Sequence, residues 1–385
     1  MSSIPLSVPS LKGNEWAYVK ECIDTEWVSS AGKYVNYFEE KIAKYTGVEF
    51  AVACVNGTSA LQVSLRLAGV ERGDEVILPT LTFIAPVNAV AYNGATPVFM
   101  DSDSYYNIDA EKTIEFINNK TVFKKGFTYN KTTNKKISAL VPVHVWGNGA
   151  RLDELVLLCE ERNIAVVEDA SESLGSLYIS GNYEGCHTGA IGKLGCLSFN
   201  GNKIITSGGG GMILTDDVDL AERARYLTTQ AKDDPVCYVH QEIGYNFRMT
   251  NIQAALGVAQ LEQLSGFLKR KREIFKKYQT NINDINGLVL ADVPDYADNN
   301  HWMNLVQIDR AKYGEDRDGI MNRLQENSIQ TRPVWALNHL QKPYQNCQSY
   351  RIKRSEELVT KSLCLPSSAN LSDDNLNNVF HHLNG

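Results

Sequence analysis

The strongest constraint on this chain is a series of short apolar runs between residues 51 and 215, each followed by a turn or a stretch with helical spacing. AVACV (51–55) reads as a strand, and SALQVSLRLAGV (59–70) then places apolar residues at helical intervals. EVILP (75–79) is a second strand, followed by IAPVNAVAYNGA, and TPVFMD (96–101) is a third. ISALVPVHVW (137–146), IAVVED (164–169), GCLSF (195–199) and GMILT (211–215) continue the series. Strands that are nearly all apolar suit a sheet buried on both faces, and strands alternating with helices make βαβ units. The expectation is an α/β fold built on a large, mainly parallel sheet.

The pattern changes in the second half. A long helical stretch follows Asn251, running from IQAALGVAQLEQL into the charged FLKRKREIFKKYQ. Beyond about residue 285 come the strand-like WMNLVQI (302–308), a helix around 315–326 and a final helix around 372–383. The expected organisation is a large α/β domain over residues 1–250, a connecting long helix over 251–285, and a smaller C-terminal α+β domain over 286–385. The lysine- and asparagine-rich stretch around 119–136 reads as an exposed loop or hairpin.

Composition narrows the function. Hydrophobic residues make up 43% and charged residues 22%, a globular balance that excludes a disordered chain. The net charge of −7 and pI near 5.6 argue against nucleic acid as a partner, because phosphate neutralisation needs a basic surface. None of the eight cysteines falls in a CxxC pair, so no metal site is expected, and several sit in apolar runs as reduced, buried thiols. The N-terminus lacks the basic-then-apolar pattern of a signal peptide, and no apolar run approaches the ~20 residues of a membrane helix. A soluble cytoplasmic protein with no membrane partner is expected.

Three segments carry chemistry. Asn56-Gly57-Thr58-Ser59-Ala60 follows a strand and opens a helix, where free N–H groups and the helix dipole suit a phosphate; an ordinary helix cap has the same form. Glu168-Asp169-Ala170-Ser171-Glu172 ends the strand IAVVED, where open α/β sheets bind ligands; a carboxylate there suits a protonated ring nitrogen, a helix N-cap or a metal. Ser198-Phe199-Asn200-Gly201-Asn202-Lys203 leads to Ser207 and four glycines, Gly208 to Gly211. Lys203 is either a surface lysine or an amine made nucleophilic by desolvation. An Asp at a strand end, a Ser-x-x-x-x-Lys turn with its Lys 34 residues after that Asp, and an upstream Gly-Thr-Ser turn together describe one cofactor site.

At these residues the chain resembles the DegT/DnrJ/StrS group of nucleotide-sugar aminotransferases, within the fold-type I enzymes that use pyridoxal 5′-phosphate. The resemblance runs through TEWVSSAGKYV (25–35), ACVNGTSAL, DEVILPTLTFIAPVNAV, TPVFMD, VVEDASESLGS, LSFNGNKIITSGGGGM, GYNFRMTNIQAALG and TRPVWALNH, collinear and over essentially the whole chain. It implies that Lys203 carries the cofactor as an imine and shuttles the proton, and that Asp169 pairs with the pyridine nitrogen. Gly57, Thr58, Ser59 and Ser198 would form the phosphate site, Phe83 would stack on the ring, and Glu172 would approach the ring hydroxyl. Asn246 matches an Asn that reaches the phosphate of a neighbouring subunit, which implies a homodimer with shared sites. Trp27, Ser29 and Ser30 near the N-terminus, and Arg332 and His339 near the C-terminus, lie in segments that relatives bring to the sugar nucleotide. For Trp27 and Trp335 a core or interface role is the alternative.

Ser207-Gly208-Gly209-Gly210-Gly211 replaces the Thr-Gly-Glu-Gly-Gly of many relatives. With FNGNK, Trp146 and EDASES, it looks most like the branch acting on UDP-linked 2-acetamido-4-keto-6-deoxyhexoses, as in legionaminic-acid pathways. The implied activity is transfer of an amino group from L-glutamate to C-4 of such a sugar. The rivals are C-3 amination or another reaction of this cofactor on a sugar, and a catalytically silent regulator of the same fold.

Overall fold

The computed structural model describes residues 3–234 and 236–384. The apolar runs form the strands of one large sheet: β1 (Phe50–Cys54), β2 (Glu75–Pro79), β3 (Thr96–Met100), β4 (Lys136–Leu140), β5 (Ala165–Asp169), β6 (Leu194–Ser198) and β7 (Gly211–Thr215). Their order is β1-β7-β6-β5-β4-β2-β3. Strands β6, β5, β4, β2 and β3 are parallel to their neighbours in that order, and of these seven strands only β7 runs antiparallel, between β6 and β1. The reversal goes with the link. A parallel return is usually made by a helical crossover, whereas the twelve residues 199–210 form a non-helical turn. The lysine-rich stretch is the antiparallel hairpin Thr121–Lys124 with Phe127–Asn130, paired to the edge of β4.

Both faces of the sheet are covered. Alternate residues of β1 divide between two cores: Val52 and Cys54 pack with α3 (Gly57–Leu67) and α4 (Ile84–Tyr92), while Ala51 and Ala53 pack with α1 (Glu15–Asp24), α2 (Lys33–Thr46) and α6 (Asn251–Leu261). Helix α5 (Val218–Thr228) follows β7 onto the α3 face. The expected long helix after Asn251 is two helices, α6 and α7 (Leu264–Ile282), interrupted at Glu262–Gln263. Gln260, before the break, and Gln263, within it, both donate to Oε1 of Glu15 at the start of α1.

A second, antiparallel sheet consists of β8 (Leu288–Leu290), β9 (Asn304–Ile308), β10 (Arg332–Pro333) and β11 (Ser362–Leu365), in the order β8-β9-β11-β10. It packs on α7, α8 (Arg317–Glu326) and α9 (Asp373–Leu383), with Ile4 from the N-terminal segment in the same core. The C-terminal third is stitched to the preceding part of the chain in two places, one a separate two-stranded sheet and the other the edge of the large sheet. Ala297–Asp298 pairs with Leu177–Tyr178, and Ser349–Tyr350 lies parallel beside β3 at the sheet edge. No helix among the described residues is long and apolar enough to cross a membrane.

Candidate active site

The carboxyl ends of β5 and β6 open on a cavity of about 280 Å³. Seven of the residues singled out by sequence line it: Gly57, Thr58, Phe83, Asp169, Glu172, Ser198 and Lys203. A second cavity, of about 500 Å³, lies at the opposite ends of β4 and β5, beside Lys136 and Asn163, and none of those seven reaches it.

Three turns build the site. Asn56 caps α3 by accepting the Ser59 N–H on its Oδ1 at 2.8 Å. The amides of Gly57 and Thr58, which lead the helix, have no acceptor among the described residues. They add to the positive end of the helix dipole. A side chain on Gly57 would place its Cβ 2.8 Å from the Cβ of Ser198, so glycine is what lets the first turn meet the end of β6.

Asp169 ends β5 with its main chain fixed on both sides. Its N–H donates to the Pro142 carbonyl at 2.9 Å, and its carbonyl accepts from His144 N at 3.0 Å. The Asp169 carboxyl is buried, and burial pushes it above the ordinary carboxylate value; hydrogen bonds from Ser171 and the charge of Lys203 pull the other way. Glu168, its neighbour, has a different task. Burial would raise it, yet His144 and nearby amides hold it below its ordinary value. It accepts from His144 Nε2 at 2.8 Å and from the N–H groups of Gly189, Ile191 and Gly192. His144 Nδ1 accepts from Ala150 N at 3.0 Å, so the proton sits on Nε2. Glu168 therefore organises the 189–192 loop, and Asp169 is the carboxylate of the pair that lines the cavity.

Lys203 reaches the same space from the turn after β6, its N–H bonded to the Asn200 carbonyl at 3.0 Å. Its Nζ lies 3.2 Å from Glu172 Oε1 and 4.0 Å from the centroid of the Trp302 ring. The other Glu172 oxygen accepts from Trp146 N at 2.9 Å. Burial raises the Glu172 carboxyl and Asp169 adds to the rise, while Lys203 and the Trp146 amide oppose it. Trp146 adopts a left-handed conformation, φ 53°, and its ring stacks on Trp335 at 4.8 Å. Trp335 in turn faces Phe83 at 6.3 Å, giving the cavity an aromatic wall.

The other sequence candidates lie apart from this cavity. Ser59 is buried within the turn, behind Asn56. Asn246 is exposed, on a loop bridged to Thr229. Trp27, 58% exposed, and the exposed Ser29 and Ser30 sit on a segment pinned by Asn251. Arg332 is exposed and donates to the Thr331 carbonyl, and His339 Nδ1 lies 2.7 Å from Thr80 Oγ1. Sequence reasoning missed Trp302, which arrives from β9's approach, about a hundred residues after Lys203; read alone, WMNLVQI signals only a strand. Asn200 and Asn202 were visible as polar residues of the FNGNK turn, and both line the cavity.

Known proteins share this architecture. A GDP-perosamine synthase of Escherichia coli O157:H7 is 38% identical over 385 residues, covering 100% of this chain and 98% of that protein. EpsN of Bacillus subtilis (strain 168), provisionally named a pyridoxal phosphate-dependent aminotransferase, is 35% identical, covering 99% of this chain and 95% of that protein. Among solved structures, DesI in the presence of its TDP-sugar product superposes with a TM-score of 0.88 at 29% identity, covering 100% of this chain and 93% of that one. The profile of the DegT/DnrJ/EryC1/StrS aminotransferase family matches residues 9–384, and the chain belongs to that family.

Proposed function

We propose that this chain is a pyridoxal-phosphate-dependent enzyme that transfers an amino group from L-glutamate to C-4 of a nucleotide-linked 4-keto-6-deoxy sugar. The sugar of this reading is a UDP-linked 2-acetamido-2,6-dideoxy-4-keto-hexose, the substrate of the legionaminic-acid branch. The observation that carries the reading is the meeting of Lys203, Asp169 and the Gly57–Thr58 turn at one cavity.

The residues fit the cofactor. The Gly57 turn is a cradle that a side chain would fill, and it presents unpaired amides beside the hydroxyls of Thr58 and Ser198, a donor set suited to a phosphate. A buried carboxylate such as Asp169 is costly unless a cation faces it, and a protonated ring nitrogen is such a cation. Phe83, 53% exposed at the cavity, offers a flat face to a ring. When bound, pyridoxal phosphate supplies an electron sink that no side chain provides. Lys203 Nζ is then the amine that holds the cofactor and later takes the proton from the donor's Cα. Glu172 Oε1 orients that amine, and Asp169 keeps the ring nitrogen protonated.

The exposed candidates complete the site across a homodimer in this reading. Asn246 reaches the phosphate held by a partner subunit, while Trp27, Ser29, Ser30, Arg332 and His339 meet the sugar nucleotide, where a diphosphate needs donors and a cation. The names of two relatives favour a second reading of the nucleotide. GDP-perosamine synthases of Escherichia coli O157:H7 and Caulobacter vibrioides are 38% and 36% identical to this chain. A panel of UDP-, GDP- and dTDP-linked 4-keto-sugars with nitrogen-labelled glutamate tests both, read by mass spectrometry and NMR. Labelled amine at C-4 of the UDP sugar is expected. Turnover of a GDP-linked ketone alone selects the second reading, amination at C-3 refutes the regiochemistry, and no transfer to any ketone refutes the activity.

A further inference from the structure

Lys203 contacts two groups of different kinds. One is the Glu172 carboxylate at 3.2 Å; the other is the face of Trp302, with Nζ 4.0 Å from the ring centroid. The Lys203 side chain is 13% exposed and Trp302 is 3% exposed, so water does little to screen either contact.

Trp302 is held in place from several directions. Its indole Nε1–H donates to the Asn202 carbonyl at 2.6 Å, which ties the ring to the residue preceding Lys203. Its amide donates to Asn300 Oδ1 at 2.9 Å, and Asn300 Nδ2 donates to the carbonyls of Glu172 and Leu174. The Trp302 carbonyl accepts at 2.9 Å from Nζ of Lys271, an amine 3% exposed on α7 that also donates to the Ser367 carbonyl. Ring and carboxylate thus belong to one hydrogen-bonded frame, and Nζ contacts both. The charged and titratable groups around the frame are Glu172 and Asp169 on the Lys203 side, with the buried Cys364 thiol near Glu172, and Lys271, His301 and Arg272 behind Trp302.

We propose that Trp302 is a catalytic-site residue that, together with Glu172, seats the ammonium form of Lys203. The proposal rests on the reading in which Lys203 is the working amine. Such an amine must carry a proton between accepting it and passing it on, in a cavity with little water. A carboxylate alone would stabilise the ammonium through charge. The indole face adds attraction for the cation without adding a second negative group beside the already crowded Asp169 and Glu172.

The test measures the amine itself. Full-length chain stripped of cofactor is acylated with a limiting amine reagent, and modification of Lys203 is followed by peptide mass spectrometry. The readout is the rate at neutral pH divided by the rate in strong alkali, which cancels differences in access. Trp302→Leu should raise that ratio about three- to tenfold, because the ammonium loses one of its two stabilising contacts. Trp302→Phe keeps an aromatic face and should stay within about twofold of the parent. Trp302→Met replaces the leucine variant if that one fails to fold. A ratio unchanged in the ringless variants, or raised as far by phenylalanine as by leucine, overturns the seat. Borohydride reduction of the loaded enzyme tests the underlying reading separately. Label away from Lys203 overturns that reading; label on Lys203 with an unchanged ratio overturns the seat alone.

Discussion

Glu172 joins Lys203 to Trp146: one carboxylate oxygen lies 3.2 Å from Lys203 Nζ and the other accepts the Trp146 amide at 2.9 Å. Burial nevertheless raises the Glu172 carboxyl above its ordinary value, and Asp169 adds to the rise. The sign for stability follows. A raised acid binds its proton more tightly in the folded chain than in the unfolded one, so stability falls as pH climbs from the unfolded carboxyl value through the folded one. Glu172→Gln removes that titration. The cofactor-free variant should melt higher than its parent at about pH 8, and the advantage should vanish near pH 4. Calorimetric melting curves across pH check this, and a constant offset between the two proteins would count against it.

Lys203 and Asp169 should separate cleanly in their effects. Borohydride treatment of the loaded enzyme should abolish its visible band and add cofactor mass to the peptide containing Lys203. Lys203→Ala should lower amino transfer by at least about a thousandfold, since it removes both the attachment point and the proton carrier. Asp169→Asn should keep the fold and some cofactor but lose about a hundredfold or more in turnover, the scale of losing a preorganised charge. Near-parental turnover in Asp169→Asn would refute the ring-nitrogen role.

Much of the large sheet was legible because each strand is an apolar run bounded by a turn: EVILP coincides with β2, and IAVVED ends, as β5 does, at Asp169. The three turns that carry Gly57, Asp169 and Lys203 were legible because each sits at the end of such a run. The rest depended on information that periodicity does not carry. The antiparallel course of β7 goes with a non-helical link, and the break at Glu262–Gln263 falls where Gln260 and Gln263 find Glu15, far away in sequence. Trp302 meets Lys203 through tertiary packing alone. The separate roles of Glu168 and Asp169 also appear only in three dimensions, where a histidine and three amides take up the Glu168 carboxylate.

Asn251 should prove unexpectedly important for the N-terminal segment. Its Nδ2 donates to the Trp27 carbonyl at 2.7 Å, its Oδ1 accepts from Tyr34 N at 3.0 Å, and its own amide donates to the Ser29 carbonyl at 2.6 Å. Gly32, at φ 149°, closes around that carboxamide, which a Cβ there would strike. Asn251→Ala strands buried polar groups and should cost about 1–3 kcal/mol, with faster hydrogen exchange across residues 27–34. Gly32→Ala should cost a similar amount through backbone strain and steric overlap, about 1–3 kcal/mol. Denaturant melts and exchange mass spectrometry check both.

The proposed reading predicts a homodimer, in which Asn246, exposed in the single chain and outside its own cavity, reaches the site of the partner subunit. Light scattering should return at least twice the 42.9 kDa chain mass. Mixing a Lys203→Ala chain with an Asn246→Ala chain should yield heterodimers with one site free of both substitutions, so that activity exceeds that of either parent. Failure of the mixture to recover activity would contradict sharing of sites.

The position of Trp302 and Trp335 in the cavity wall also bears on the order in which a newly made molecule becomes competent. The Gly57 turn, Asp169 and Lys203 all leave the ribosome before either tryptophan does. The strand that closes the edge of the large sheet, Ser349–Tyr350, follows later still. At about 5–20 residues per second, the interval between Lys203 and Trp335 lasts on the order of ten seconds, during which the lysine has its carboxylate partners and Phe83 but not yet both tryptophans. The cavity is therefore finished late in biosynthesis: a ribosome stalled before Trp302 is translated carries a chain whose site still lacks two of its aromatic walls.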